Sequence, residues 1–357
     1  LICIYQENGE GHLVRLNSGN GEAQPLELPY TNYNMMVVSG ERAAFLASSP
    51  TEFTSLIELN LATNQLEVVR RNSNLILDKA SLSVPEAIEF PTEHGLTAYA
   101  FYYAPRNANQ QAPEGELPPL LVISHGGPTS ATTNALLLST QYWTSRGFAV
   151  LDVNYGGSTG YGRTYRQRLN GQFGIVDTND CINGAKYLVE KGLVDPKRLA
   201  IKGGSAGGYT TLCALAFHKT FNAGGCHFGV SDPAALARDT HKFESRYMDS
   251  MVGPYPEMED VYKERTPILY ADQISCPVIF FQGLDDRVVT PDQSELMVNV
   301  LRENKLPVAY IAYEGEGHGF RMAKNIKRTF EAESYFFARV FGFELADQVE
   351  PVEIYNM

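Results

Sequence analysis

The rhythm of apolar and polar positions changes near residue 80. Before it, short runs such as Leu13-Val14-Arg15-Leu16-Asn17 and Leu56-Ile57-Glu58-Leu59-Asn60 mix apolar and polar positions as half-exposed strands do. After it, extended segments at 86–90, 97–104 and 120–124 lead into an alternation of helices and strands. Helices are expected at 134–146, 178–191, 208–218, 291–303 and 323–341, and strands at 148–153, 199–202, 223–230, 277–282 and 308–313. Strands such as Pro277-Val278-Ile279-Phe280-Phe281 are apolar on both faces, which fits a parallel sheet covered by helices on both sides. Residues 81–357 therefore read as one doubly wound α/β domain, in which chemistry collects at the C-terminal ends of the strands.

The first part of the chain repeats itself. The run at 13–17 is echoed at 56–60, and Ile2-Cys3-Ile4-Tyr5 has a counterpart in Ala44-Phe45-Leu46-Ala47. A period of about 40 to 45 residues with four short strands per unit is the signature of β-propeller blades. Strands near 34–38, 42–48, 54–60 and 65–69 make one blade, and residues 1–28 supply the later half of the blade before it. Residues 1–80 are thus expected to be an incomplete propeller of about one and a half blades, which implies the C-terminal part of a longer protein, since propellers close with at least four blades. A small β-meander packed on the next domain is the plainer alternative.

Composition narrows the function. With 357 residues and 44% hydrophobic positions the chain is globular, and its 29 basic against 41 acidic residues give a net charge of −12. That charge repels nucleic acid and anionic membrane. No apolar run reaches the roughly 18 residues needed to span a bilayer. Cys3, Cys181, Cys213, Cys226 and Cys276 are odd in number and widely spaced, so they read as reduced core residues of a cytoplasmic protein, not as a disulfide framework or a metal site. No cofactor is expected, and the sequence does not give an oligomeric state.

Candidate chemistry centres on Gly203-Gly204-Ser205-Ala206-Gly207-Gly208, which directly follows the apolar run Leu199-Ala200-Ile201 and opens a small, apolar helix. This is the pattern of a strand-to-helix nucleophile elbow, where glycines permit a sharp turn and close packing of strand on helix. Gly156-Gly157-Ser158-Thr159-Gly160 also matches Gly-x-Ser-x-Gly, but it leads into a polar, irregular stretch. Context favours Ser205.

A serine hydroxyl needs a base, and the base needs an orienting carboxylate. In the order Ser, Asp, His, the base lies beyond the acid, and His318 is the sole histidine C-terminal to residue 241. It sits in a Gly-rich loop, Gly315-Glu316-Gly317-His318-Gly319, after the strand that ends near Tyr313. The preceding strand delivers Asp285 and Asp286, of which only one can face His318; Asp286 is favoured, with Asp285 as the alternative. Developing negative charge would meet the backbone amide of Ala206, joined by an amide of the loop His125-Gly126-Gly127-Pro128 or by the phenol of Tyr161.

Taken together, the elbow, the segment from Gly283 to Glu295, the Gly317-His318-Gly319 loop and the blade-like repeat resemble the prolyl oligopeptidase family of serine peptidases, in particular the C-terminal portion of its acylaminoacyl-peptidase and dipeptidyl-peptidase-like branch. The resemblance implies an α/β-hydrolase catalytic domain with nucleophile Ser205, acid Asp286 and base His318. It also implies that Gly127 is the second oxyanion donor, as in the acylaminoacyl branch, while Tyr161 is the nearest match to the tyrosine other branches use, at a spacing that departs from theirs. Thr290 stands where the family usually has proline. The implied activity is hydrolysis of short peptides through an acyl-enzyme. An esterase using the same residues and a non-catalytic binding module are the alternatives. Phe228, Tyr209 and Val230 are candidates for an apolar first pocket, Glu244 for holding a substrate amino terminus and Arg246 for a carbonyl.

Overall fold

A computed structural model describes residues 1–239 and 245–357. The alternating N-terminal part forms two antiparallel sheets. One has three strands in sequential order, β1 (Ile2–Glu7), β2 (Glu10–Leu16) and β3 (Ala23–Leu26). The other has four, β4 (Asn32–Ser39), β5 (Arg42–Ser49), β6 (Glu52–Asn60) and β7 (Leu66–Arg71), also in sequential order. Asn8 and Gly9 close the first hairpin with φ of 52° and 79°. Positive φ at both turn positions matches the strand twist, which is why Asn-Gly is favoured there. Phe45, Ile57 and Leu59 are buried in one cluster with Leu13 and Leu26 of the three-stranded sheet, whereas Met35 and Val37 of β4 are 82% and 67% exposed.

The second part runs β8 (Glu86–Pro91), β9 (Thr97–Tyr103), β10 (Leu120–Ser124), α1 (Leu138–Thr144), β11 (Ala149–Asn154), α2 (Gly162–Arg166), α3 (Val176–Glu190), β12 (Leu199–Gly204), α4 (Ala206–Phe217) and β13 (Ala223–His227). It continues through α5 (Pro233–Asp239), α6 (Tyr247–Met251), α7 (Glu259–Glu264), β14 (Val278–Gly283), α8 (Pro291–Glu303), β15 (Val308–Tyr313) and α9 (Ala323–Phe341). Its strands form one eight-stranded sheet in the order β15-β14-β13-β12-β10-β11-β9-β8. The strands from β15 to β11 pair in parallel, while β9 is antiparallel to β11 and to β8. The doubly wound sheet is therefore mixed, parallel from β15 to β11 and antiparallel at its β9–β8 edge. The short link Thr92–Leu96 joins β8 to β9 as a hairpin, and a hairpin can only connect antiparallel neighbours.

Apolar runs fill both faces of this sheet. Along β14, Val278 and Phe280 belong to the cluster with Leu212, Met297 and Leu301, and Ile279 and Phe281 to the cluster with Trp143, Phe336 and Phe337. Among the described residues no helix is long and apolar enough to cross a membrane.

Two expected elements are shorter than their sequence pattern. The helix expected from 134 begins at Leu138, because the preceding backbone is engaged elsewhere: Thr132 N–H donates to Asn154 Oδ1, and Leu136 N–H to the carbonyl of Ser49. Strand β13 stops at His227, not 230, because Phe228 adopts a φ of 37° and turns the chain out of the sheet.

Helix α4 lies so close to the sheet that side chains are excluded. A Cβ on Gly207 would sit 2.0 Å from the carbonyl oxygen of Ser124, and one on Gly208 would sit 2.5 Å from Cα of Gly229. Both neighbours are backbone and cannot step aside. Gly207→Ala is expected to destabilise the protein by about 3 kcal/mol or more, the upper range for overpacking, as read by urea denaturation; a change near zero would contradict the packing described.

Candidate active site

Ser205 joins β12 to α4 with φ 56° and ψ −121°. A non-glycine residue held there costs roughly 1–3 kcal/mol, so the surroundings must enforce it. They do so through hydrogen bonds on both sides: Ser205 N–H donates to the carbonyl of His227, and Tyr209 N–H donates to the carbonyl of Ser205. The turn leaves the Ser205 side chain half-buried at the C-terminal edge of the sheet and at the N-terminus of a twelve-residue helix.

Two loops from neighbouring strands meet it there. His318 Nε2 lies 2.8 Å from Ser205 Oγ, and His318 Nδ1 lies 2.8 Å from Asp286 Oδ2. The other carboxylate oxygen of Asp286 accepts the backbone N–H groups of Val288 and Val289 at 2.8 and 3.0 Å. With Asp286 accepting from Nδ1–H, the ring presents an unprotonated Nε2 to the serine hydroxyl. That is the tautomer able to take a proton from it. Asp286 is buried, whereas Asp285 is exposed and contributes its backbone N–H to the carbonyl of Glu316.

The His318 loop is clamped by a residue that the sequence reading passed over. Glu316 is buried, and its carboxylate accepts the N–H groups of Arg321 and Met322 and the Asn325 side-chain amide. A carboxylate just ahead of a helix that lacks a Ser, Thr, Asp or Asn cap was the available signal. Gly283 makes room for this loop, since a Cβ there would lie 2.4 Å from the carbonyl oxygens of Glu316 and Gly317.

The loop after β10 approaches from the other side. A Cβ on Gly126 would lie 3.7 Å from Cβ of Ser205, and Gly127 follows, exposed, with φ 128°. Ala206 is the first residue of α4, so its N–H has no partner within the helix. Tyr161 is engaged elsewhere: its ring stacks on Tyr99 at 4.4 Å, its hydroxyl accepts from Asn154 Nδ2, and the hydroxyl lies against Gly9 of the β1–β2 turn. The described contacts of Tyr161 thus run to the N-terminal hairpin and not to Ser205.

The competing serine is built into the support of this loop. Ser158 is fully buried and donates to His125 Nε2 at 2.8 Å, while His125 Nδ1 donates to the carbonyl of Gly126. Burial pushes the His125 imidazole down to about 4, so it is neutral near pH 7 and can accept that bond. The Tyr155 ring stacks on that of His125 at 4.2 Å, and its single O–H lies between the carbonyl oxygens of His125 and Pro128, 2.9 and 3.1 Å away. Among the described residues no carboxylate is bonded to either nitrogen of His125.

The pocket candidates divide. Phe228 faces the site, its ring meeting that of His318 edge-on at 4.9 Å. Tyr209 does not: it is fully buried, its hydroxyl donates to the carbonyl of Arg265, and it packs on Phe173. Four residues along α4 from Ser205, it supports the elbow from beneath and has no surface to offer a ligand. Val230 is likewise buried. Arg246 is 85% exposed and bonds Asp249. Glu244 lies outside the described residues.

Known proteins share this architecture. A puromycin-hydrolyzing peptidase of Mycobacterium tuberculosis superposes with a TM-score of 0.95 at 42% identity, over 98% of this chain and 53% of that one. Dipeptidyl aminopeptidase BIII of Pseudoxanthomonas mexicana is 29% identical over 71% of this chain and 38% of its own length. The acylamino-acid-releasing enzyme of Arabidopsis thaliana is 26% identical over 83% of this chain and 39% of its own. The chain thus spans less than two-fifths of these two curated relatives and about half of the solved structure. The model of the prolyl oligopeptidase family matches residues 135–344, more than half of the chain and the whole stretch that carries Ser205, Asp286 and His318. With an α/β-hydrolase fold and a family match of that extent, the chain belongs to the prolyl oligopeptidase family of serine peptidases.

Proposed function

We propose that this chain hydrolyses short peptides near their N-terminal end through an acyl-enzyme on Ser205, with His318 as general base and Asp286 as its orienting acid. The observation that carries the reading is the continuous line of 2.8 Å hydrogen bonds from Asp286 through His318 to a serine held at positive φ. In the reaction, His318 Nε2 takes the Ser205 proton as Oγ attacks the scissile carbonyl, then delivers it to the leaving amine. A water activated by the same imidazole releases the acyl group. The Ala206 and Gly127 amides receive the oxyanion, each donor being worth roughly 3–4 kcal/mol by precedent.

Residues 81–357 are the catalytic domain in this reading, and residues 1–80 are about one and a half blades of a β-propeller. The sequential antiparallel order of β4 to β7 and the exposed apolar positions Met35 and Val37 support the blade assignment. Hydrolysis of puromycin by a relative at 42% identity favours substrates with a free amino-acid residue at the amide being cut. The test is a panel of aminoacyl, dipeptidyl and N-acylaminoacyl anilides beside simple p-nitrophenyl esters, assayed on the full-length protein. Turnover of unblocked anilides is expected to exceed that of N-acylated ones. Turnover of esters with none of the anilides would contradict a peptidase.

A further inference from the structure

A charged cluster lies behind the elbow that the proposed chemistry does not use. Glu333 of α9 is fully buried, and its two carboxylate oxygens reach different strands: Oε2 accepts from Lys202 Nζ at 2.5 Å and Oε1 accepts from His227 Nε2 at 2.6 Å. Lys202 lies on β12 directly ahead of Gly203-Gly204-Ser205, and His227 ends β13. Around them the walls are aromatic. Lys202 Nζ lies over the rings of Trp143 and Phe330, and His227 packs on Phe281. Even the backbone makes room, because a Cβ on Gly225 would sit 2.9 Å from Glu333 Oε1.

An apolar residue at 333 would fill this space without the desolvation of a buried ion pair, so packing alone does not account for the cluster. Its connections do. The carbonyl of His227 accepts the N–H of Ser205, and the next residue, Phe228, turns at positive φ to set its ring against His318. We propose that Glu333 is a positioning residue that ties β12 to β13 through Lys202 and His227, and so fixes Ser205 and the Phe228–His318 contact relative to each other. The inference rests on Ser205 and His318 acting as proposed above.

The test compares the full-length protein with Glu333→Gln and with Lys202→Met/Glu333→Gln, the second of which removes both charges and keeps the fold assessable if the first leaves Lys202 buried and unpaired. Turnover is expressed per serine titrated by a fluorophosphonate, so that unfolded protein does not enter the rate. Both variants are expected to lose about tenfold in kcat and in the rate of phosphonylation, as small misplacements of reacting groups do, with KM unchanged because the cluster does not touch substrate. The double variant is expected to recover melting temperature without recovering kcat. Wild-type kcat per titrated serine in the double variant would overturn the inference and leave a purely structural role. Absence of labelling at Ser205 in the unsubstituted protein would instead overturn the proposed function, and this inference with it.

Discussion

Ser205→Ala is expected to lower kcat on a peptide anilide by about 10⁶-fold, the loss seen when a nucleophile that works jointly with its base is removed. The size follows from the geometry: among the described residues Ser205 supplies the hydroxyl within hydrogen-bond reach of His318 Nε2, and without it the imidazole and the donors at the helix N-terminus can only assist water. Ser158→Ala provides the contrast. It removes a buried hydroxyl that donates to His125, leaving Nε2 unsatisfied at a cost of about 1–3 kcal/mol, and so is expected to lower the melting temperature while most activity survives. Comparable losses of turnover in the two variants would contradict the assignment of Ser205.

Asp286→Asn is expected to reduce kcat by about 10⁴-fold with little change in KM. Oδ1 of Asp286 is held by the N–H groups of Val288 and Val289, so an asparagine must keep its carbonyl oxygen there. Its amide NH₂ is then forced toward His318 Nδ1. A donor at that position turns Nδ1 into an acceptor and moves the ring proton to Nε2, where it blocks acceptance of the serine proton. Asp285→Asn, on an exposed neighbour, is expected to stay within about twofold, as for surface substitutions generally. Steady-state kinetics of the two variants settles which carboxylate orients the base, and the reverse ranking would overturn the description of the loop.

Much of this was readable in the chain because it rests on local necessity. A serine turned between strand and helix demands glycine wherever backbones touch, and the run around Ser205 shows those glycines at 203, 204, 207 and 208. The convergence of His318 and Asp286 on Ser205 was legible from order and loop composition, while the choice between the two aspartates depended on which way a turn residue points. Strand direction was not legible, since the apolar period of β8 and β9 is the same in parallel and antiparallel pairs. The overlong helix at 134 and the misplaced Tyr209 share one cause. Tertiary contacts decide where Thr132 and Leu136 send their backbone bonds, and which face of α4 Tyr209 occupies. Glu333 gave no signal at all, because a glutamate within a helix is ordinary until two distant strands bring Lys202 and His227 to it.

The measurement that bears most directly on the account is mapping of a fluorophosphonate adduct by mass spectrometry of the digested full-length protein. One stoichiometric adduct on Ser205, absent from the Ser205→Ala variant and never found on Ser158, is the predicted result. Modification at a different residue, or none on folded protein, would contradict it.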